Sequence, residues 1–329
     1  MPRVDTVPSP PVLKEIPAWL REATFVFVVG SPRSGTTWLQ SLLASHPDIV
    51  SGPESHFFVS MRSLLNTFEQ PQDRKLGLSA YLSSEQFYYM VGDWFVRTIA
   101  QLDWSEDSPR IFLEKTPHHS QYAEFILKAF PQAKFIHLVR DARAVVASSL
   151  RIASSWGKDW APSTVDAATA MWLRNVKAGW RIPQLMNDPT NQYFEIKYEA
   201  LREQPERRLA ELWQWIGVDV KDEWVGRAVQ QNDIAQARSS AAAFSAIAEG
   251  RLADAQPTSQ TSIPPAFVGQ GTYRAEDSGL SRLQLLRLEQ LAGDILDRLG
   301  YARLCPNSYP WERLATSPRL RKALRLKEI

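Results

Sequence analysis

A glycine-bounded loop is the first place in this 329-residue sequence where the residue types could do chemistry. Residues 30–37 read GSPRSGTT, with four residues between Gly30 and Gly35 and two hydroxyl residues after the second glycine. The backbone N–H groups of such a loop, together with the start of a following helix, bind anions. Arg33 adds a permanent positive charge that can pair with an oxyanion through two hydrogen bonds. The loop therefore predicts a site for an anionic ligand.

The loop lacks the lysine that is typical of ATP- and GTP-hydrolysing proteins. That lysine follows the second glycine and reaches the β- and γ-phosphates, whereas Thr36 occupies its position here. The usual nucleotide hydrolase is therefore disfavoured. A P-loop phosphotransferase and a non-catalytic nucleotide-binding protein are kept as alternatives.

The elements that must position this loop alternate between apolar runs and helical patterns. Residues 25–30, FVFVVG, are typical of a strand buried on both faces of a parallel sheet. Further strands are predicted over 111–116, 133–140 and 192–198. Helices are predicted over 36–47, 120–130, 142–151, 164–186, 205–217 and 281–299. The alternation predicts an α/β fold with a central, mainly parallel sheet flanked by helices. Together with the glycine-bounded loop between the first strand and helix, the expected fold is P-loop-like and three-layered.

Changes in composition suggest how the chain is organised. Residues 1–20 are rich in proline and predict an extended leader, whereas 21–305 predict a single domain. Within it, residues 232–275 are rich in small and polar residues and predict a flexible lid segment. Residues 306–329 predict a basic C-terminal tail. Because no apolar run is long enough to span a bilayer and no secretory signal is recognisable, we expect a cytoplasmic protein without a membrane span.

Charge and cysteine content exclude several classes of function. The 38 Lys and Arg residues exceed the 36 Asp and Glu residues by two, so we do not expect nucleic acid to be bound through bulk charge. The single cysteine, Cys305, excludes an intramolecular disulfide and a multi-cysteine metal site. Since no acidic or histidine cluster has the spacing of metal ligands either, we expect no metal.

Three segments resemble the nucleotide-binding motifs of sulfotransferases that use 3′-phosphoadenosine 5′-phosphosulfate (PAPS). PRSGTTWL, residues 32–39, resembles their 5′-phosphosulfate loop, and HLVRDARAVVASS, residues 137–149, resembles their 3′-phosphate motif. FEIKYEALREQP, residues 194–205, resembles their Tyr-Glu-x-Leu segment. The resemblance implies an enzyme that transfers a sulfuryl group from PAPS to a hydroxyl group and releases 3′-phosphoadenosine 5′-phosphate (PAP).

The same resemblance implies which residues bind the nucleotide. They are Arg33, Ser34, Gly35, Thr36, Thr37 and Trp38 at the loop, Arg140 and Ser148 at the 3′-phosphate, and Tyr198 on the adenine side. Trp38 is interpreted either as an aromatic platform beside the base or as an anchor in the core. Arg274, in the segment VGQGTYR, is the counterpart of a basic loop that closes the 3′-phosphate site in the family.

Two further segments supply candidates for the chemistry. SHPDIVSGPESHFF resembles the segment that carries the general base in the protein-tyrosine branch of the family, which implies that role for Glu54. In FLEKTPHH, Lys115 matches the lysine that stabilises the sulfuryl group or the leaving phosphate, a role that Arg33 shares. His118 is the rival base, because cytosolic small-molecule sulfotransferases use a histidine shortly after a comparable lysine. The choice between Glu54 and His118 stays open.

The acceptor is suggested only by composition. The aromatic residues within 57–104 and 156–180 favour a hydrophobic or aromatic molecule, such as a natural product or a carrier-bound intermediate. A peptide tyrosine or a carbohydrate is the alternative acceptor.

Overall fold

The computed structural model describes residues 13–69, 77–102, 104, 110–233 and 276–305. Most of the predicted leader and lid segment and the whole predicted tail lie outside these residues, and all three stay predictions. The chain divides into two units, one made of Met1–Arg140 and Ala170–Tyr273, the other of Asp141–Thr169 and Arg274–Ile329.

The first unit is built on a parallel sheet with five strands among the described residues, in the order β2–β3–β1–β4–β5. The strands are β1 (Thr24–Gly30), β2 (Ile49–Ser51), β3 (Ile111–Lys115), β4 (Lys134–Val139) and β5 (Tyr193–Lys197). Val28 of β1 lies opposite Lys115, and Gly30 lies opposite Leu138 of β4. The carboxyl ends of β1, β3 and β4 therefore meet at one edge of the sheet, which is where ligands bind in open α/β sheets.

Side chains of β1 alternate between two apolar clusters, because successive strand residues point to opposite faces. Phe25, Phe27 and Val29 belong to one buried cluster, whereas Val26 and Val28 belong to the other. The prediction of a strand buried on both faces is confirmed, and with it the three-layer α/β fold.

Helices cover both faces of this sheet. The cluster around Phe27 is covered by α3 (Phe57–Ser60), α4 (Arg62–Glu69), α5 (Ser84–Ile99) and α6 (Ala123–Ala129). The cluster around Val28 is covered by α2 (Thr36–Leu43), α10 (Tyr198–Glu203), α11 (Pro205–Ile216) and α12 (Asp222–Gln231). The chain also forms α1 (Ala18–Glu22), α8 (Val165–Arg181) and α9 (Pro189–Gln192). No helix among the described residues combines the length and the apolar character needed to cross a bilayer.

The second unit contains a buried arginine with two acidic partners. Its described helices are α7 (Ala142–Ala153) and α13 (Arg282–Arg298). The guanidinium of Arg143 pairs with Asp141 at 2.7 Å and with Glu289 at 2.9 Å, and it donates to the carbonyl of Ala302 at 2.7 Å. Burial lowers the pKa of Arg143, but these hydrogen bonds and charges more than offset that effect and raise it.

Several element boundaries differ from the prediction. The helix predicted over 164–186 ends at Arg181 and continues as a 3₁₀ turn, because Pro183 has no N–H to donate. The helix predicted over 120–130 begins as a 3₁₀ turn, Pro117–Tyr122, before α6. The strand predicted over 192–198 ends one residue earlier, since Tyr198 starts α10.

Candidate functional site

The loop after β1 has a backbone that suits small residues. Gly30 has a φ of 155°, and a Cβ atom there would lie 2.4 Å from the carbonyl oxygen of Leu138. Gly35 has a φ of 97°, and its Cβ would lie 2.6 Å from the ring of Tyr198. Arg33 is in the left-handed region as well, with a φ of 72°. Strained backbone of this kind is concentrated at functional sites.

The same loop offers donors to an anion. The hydroxyl of Ser34 is buried and has no hydrogen-bond partner among the described residues. Gly35 is the N-cap of α2, and the first N–H groups of a helix have no acceptor within it. A buried hydroxyl and the start of a helix thus lie together at the carboxyl end of β1, where they can bind a phosphate or sulfate group.

Lys115 connects this loop to the segment that follows β2. It is the last residue of β3 and is only 3% exposed. Its ammonium group donates to the Thr37 hydroxyl at 3.2 Å and forms a short ion pair with Oε1 of Glu54. The structure therefore brings together a loop residue, the predicted lysine and the predicted base.

Glu54 has a second partner that was not identified from the sequence. Its Oε2 lies 3.1 Å from Nε2 of His56, a residue with a φ of 48° at the start of α3. One carboxylate oxygen of Glu54 thus contacts a buried lysine and the other contacts a histidine. Glu54 itself is partly exposed, with 27% of its side chain accessible, so it can be reached by a substrate.

His118, the rival base, lies near the same carboxylate. Burial lowers its pKa, whereas its hydrogen bond with Asn175 and the charge of Glu54 oppose that change. Its Nδ1 is 3.3 Å from Oδ1 of Asn175 and 3.4 Å from Nε2 of Gln121. Burial thus favours the neutral ring, whose Nδ1 either donates to the Asn175 oxygen or accepts from the Gln121 amide, depending on the tautomer.

Arg140 and Tyr198 lie on the other side of the loop. The guanidinium carbon of Arg140 is 4.0 Å from the centroid of the Tyr198 ring. Nη1 of Arg140 donates to the carbonyl of Arg33 at 3.3 Å, and its own carbonyl accepts from the indole of Trp172 at 2.9 Å. Arg33, Gly35, Arg140 and Tyr198, which were predicted from different motifs, are thus brought into one cluster.

Trp38 lies in the core beside this cluster. It is 7% exposed and donates from its indole to the carbonyl of Asn232 at 2.9 Å. Its ring meets that of Tyr198 edge-on at 5.6 Å, and the guanidinium of Arg202 lies 5.3 Å from its ring. Of its two interpretations, contact with the adenine base stays a prediction.

Two further predicted residues are Ser148 and Arg274. Ser148 is half-buried on α7 of the second unit, and Arg274 lies outside the described residues. Their roles at a 3′-phosphate stay predictions. Within the described ranges, no group of three or more His, Cys, Asp or Glu side chains is placed to hold a metal ion.

The sequence motifs do not single out Glu114, a buried carboxylate beside Lys115. It accepts hydrogen bonds from the hydroxyls of Ser55 at 2.8 Å and Thr116 at 2.7 Å, and from Nδ1 of His119 at 2.9 Å. Burial raises the pKa of Glu114, but His119 and the two hydroxyls more than offset it and lower the pKa to about 2. A carboxylate inside a strand that begins with three apolar residues, IFLEK, was the available signal.

Comparison with known proteins identifies a family model and relatives to which this sequence is similar. The model of the sulfotransferase family matches residues 26–222, more than half of the chain. A protein-tyrosine sulfotransferase of Drosophila melanogaster is 31% identical over 129 residues, which are 39% of this chain and 25% of that protein. The chain thus spans about a quarter of the length of this curated relative.

Two solved structures share the fold. A sulfotransferase domain from the curacin biosynthetic pathway superposes with a TM-score of 0.51 at 18% identity, covering 85% of this chain and 98% of that one. The mouse sulfotransferase SULT7A1, complexed with PAP, gives a TM-score of 0.52 at 15% identity, covering 83% and 85%. At these identities the likeness shows the fold alone.

Proposed function

The chain belongs to the sulfotransferase family, and we propose on that basis that it transfers a sulfuryl group from PAPS to a hydroxyl group, giving a sulfate ester and PAP. The acceptor we propose is a small molecule or a carrier-bound intermediate, such as a natural product. The observation that carries the proposal is the contact of Lys115 with both Thr37 and Glu54. It brings a cation, an anion-binding loop and a carboxylate to one point.

The loop residues fit the phosphosulfate of PAPS. Ser34 offers a buried hydroxyl that has no partner in the described part of the chain, and the start of α2 offers backbone N–H groups. Lys115 and Arg33 supply positive charge, which stabilises negative charge that develops during group transfer. When bound, PAPS supplies the sulfuryl group, and its nucleotide leaves as PAP.

Arg140 and Tyr198 support binding of the 3′-phosphate end. Stacking on Tyr198 restricts the plane of the guanidinium, and a guanidinium held in one plane binds a phosphate through two parallel hydrogen bonds. The contact of Arg140 with the carbonyl of Arg33 ties this arginine to the loop. The two ends of one nucleotide would therefore meet residues that already contact each other.

We assign the general base to Glu54. A base must reach the proton of the acceptor hydroxyl, and Glu54 is partly exposed next to Lys115. In the proposed reaction Glu54 removes that proton, while the Lys115 ammonium exchanges its contact with the carboxylate for one with the transferring group. His118 is turned towards Asn175 and Gln121 instead, which favours a role in holding the acceptor.

Radiolabelled PAPS tests this function directly. The protein is incubated with PAPS and pools of phenols, alcohols, sugars and tyrosine peptides, and each pool is assayed for transferred label. The tyrosine peptides test the acceptor that the name of the Drosophila relative suggests. Calorimetry with PAP measures nucleotide binding independently of the acceptor. Absence of PAP binding, or magnesium-dependent ATP binding that PAP does not displace, would contradict the proposal.

A further inference from the structure

We propose that Glu114 is a positioning residue, which holds Glu54 and Lys115 in place through their neighbours Ser55 and Thr116. This inference rests on the proposed function, because it takes Glu54 as the base. Glu114 itself is fully enclosed, with 2% of its side chain exposed, so it acts through other residues and does not touch the substrate.

The alternation of side chains along β3 places Glu114 on the opposite face of the sheet from the reacting groups. Adjacent residues of a strand point to opposite faces of the sheet. Lys115 faces Thr37 and Glu54, whereas Glu114 lies opposite Phe27 in the register of β1 and β3 and faces the other cluster. The carboxylate of Glu114 can therefore affect the site only through the residues that it binds, Ser55 and Thr116.

A single oxygen of Glu114 ties the two catalytic segments together. Oε1 accepts from the Ser55 hydroxyl at 2.8 Å, from the Ser55 N–H at 3.3 Å and from the Thr116 hydroxyl at 2.7 Å. Ser55 directly follows Glu54 in the chain, and Thr116 directly follows Lys115. The base and the lysine are thus each one residue away from a hydrogen bond to the same atom.

The segment that carries Glu54 has a backbone that depends on such support. His56 is held at a φ of 48°, in the left-handed region that few residues other than glycine adopt. Its N–H donates to the hydroxyl of Thr116 at 3.3 Å. Because Thr116 is itself bound to Glu114, the network also sets the residue that contacts the second oxygen of Glu54.

The other oxygen of Glu114 fixes its charge. Oε2 accepts from Nδ1 of His119 at 2.9 Å, and the His119 side chain is fully buried. Since the pKa of Glu114 is lowered to about 2 despite its burial, the group is a carboxylate at neutral pH. An ionised carboxylate accepts hydrogen bonds on both oxygens, as this network requires.

Substitutions at Ser55 separate positioning from folding. Ser55→Ala removes one hydrogen bond to Glu114 and one from the Phe57 N–H, whereas Ser55→Thr keeps a hydroxyl for both. With radiolabelled PAPS and the acceptor pools, we expect Ser55→Ala and Glu114→Gln to lower kcat by roughly ten- to a hundredfold, because a misplacement of about 1 Å can cost up to about 10²-fold. The KM for PAPS and the calorimetric Kd for PAP should change by less than about twofold, since the loop is untouched. Ser55→Thr should recover most of the lost kcat.

A second Glu–His pair provides the control. Glu195 of β5 lies 3.2 Å from Nδ1 of the buried His137, and Glu195→Gln should leave kcat at the wild-type value. The positioning role would be overturned by an unchanged kcat in Ser55→Ala. It would also be overturned by equal losses in kcat and PAP affinity in both Ser55 variants. In either case, turnover by the wild-type protein would still support the proposed function. A wild-type protein that binds no PAP and labels no acceptor would overturn the proposed function, and this inference with it.

Discussion

The guanidinium of Arg140 lies over the ring of Tyr198, with 4.0 Å between its central carbon and the ring centroid. The same ring leaves room for no side chain at Gly35, where a Cβ atom would approach two ring carbons to 2.6 Å. One aromatic ring therefore lies against both the loop after β1 and the arginine that we propose binds the 3′-phosphate. Substitution of Gly35 or Arg140 should therefore weaken nucleotide binding.

Gly35→Ala should damage both the fold and the site. A φ of 97° is unfavourable for alanine, and the new methyl group would collide with Tyr198. We expect a loss of about 1–3 kcal/mol in the free energy of unfolding and a fall of more than about tenfold in PAP affinity. Urea titration and calorimetry measure the two effects.

Gly226→Ala on α12 is the matched control. Among the described residues, a Cβ there has no neighbour within 4 Å outside its own helix, and alanine stabilises a helix interior by about 0.5–1 kcal/mol relative to glycine. We expect a slightly more stable protein with the PAP affinity of the wild type. A Gly35→Ala protein that behaves like this control would show that the loop accommodates a side chain.

Arg140→Lys tests whether the planar shape of arginine is needed. Lysine keeps the positive charge but loses the flat fork that stacks on Tyr198, so we expect PAP affinity to fall about tenfold, and about a hundredfold for Arg140→Ala. The exposed Arg207 of α11, which pairs with Glu211, gives the control Arg207→Lys with unchanged affinity. Equal PAP affinity in Arg140→Lys and wild type would refute a role for the stack.

Glu54→Gln and His118→Asn decide between the two candidate bases. Loss of the general base should lower kcat about 10²- to 10⁴-fold, while the Kd for PAP changes little because the loop is intact. We expect this result for Glu54→Gln. For His118→Asn we expect a higher KM for the acceptor and a smaller effect on kcat. The reverse pattern would transfer the role of base to His118.

Glu114 should make the protein sensitive to acid. Its hydrogen bonds and His119 more than offset its burial and lower the pKa from 4.5 to about 2. A carboxyl group whose pKa is lowered by folding stabilises the fold above pH 4.5, and this contribution is lost as the pH falls from 4.5 towards 2. Between about pH 6 and pH 3, the wild type should lose on the order of 2 kcal/mol more unfolding free energy than Glu114→Gln. Urea unfolding at the two pH values measures both proteins. Equal losses of unfolding free energy in the wild type and in Glu114→Gln would contradict this assignment.

The sequence allowed most of the fold to be predicted, because its strongest signals are local. The β-forming residues of FVFVVG predict the strand from the sequence alone. That its side chains alternate between two apolar faces is seen only in the folded sheet. β2 was missed, since the three residues Ile49–Ser51 are too short to show any period. Tyr198 was predicted to end a strand, whereas it begins α10.

The candidate site was predictable residue by residue, but its contacts were not. Glu54 and Lys115 were each implied by a motif, whereas their ion pair joins residues 61 positions apart and depends on the pairing of β2 with β3. Glu114 was passed over because its role follows from the face of the strand that it occupies. Neither the ion pair nor the face that Glu114 occupies can be predicted from spacing along the chain.

The ion pair between Arg143 and Glu289 has a consequence for protein synthesis. These residues are 146 positions apart, and at about 5–20 residues per second a ribosome takes roughly 7 to 30 seconds to cover that distance. During this time Arg143 has its near neighbour Asp141, but its second carboxylate does not yet exist. The second unit, assembled from two separated stretches of chain, can therefore be completed only after Glu289 has been synthesised, and truncation before Glu289 would leave Arg143 without its full set of partners.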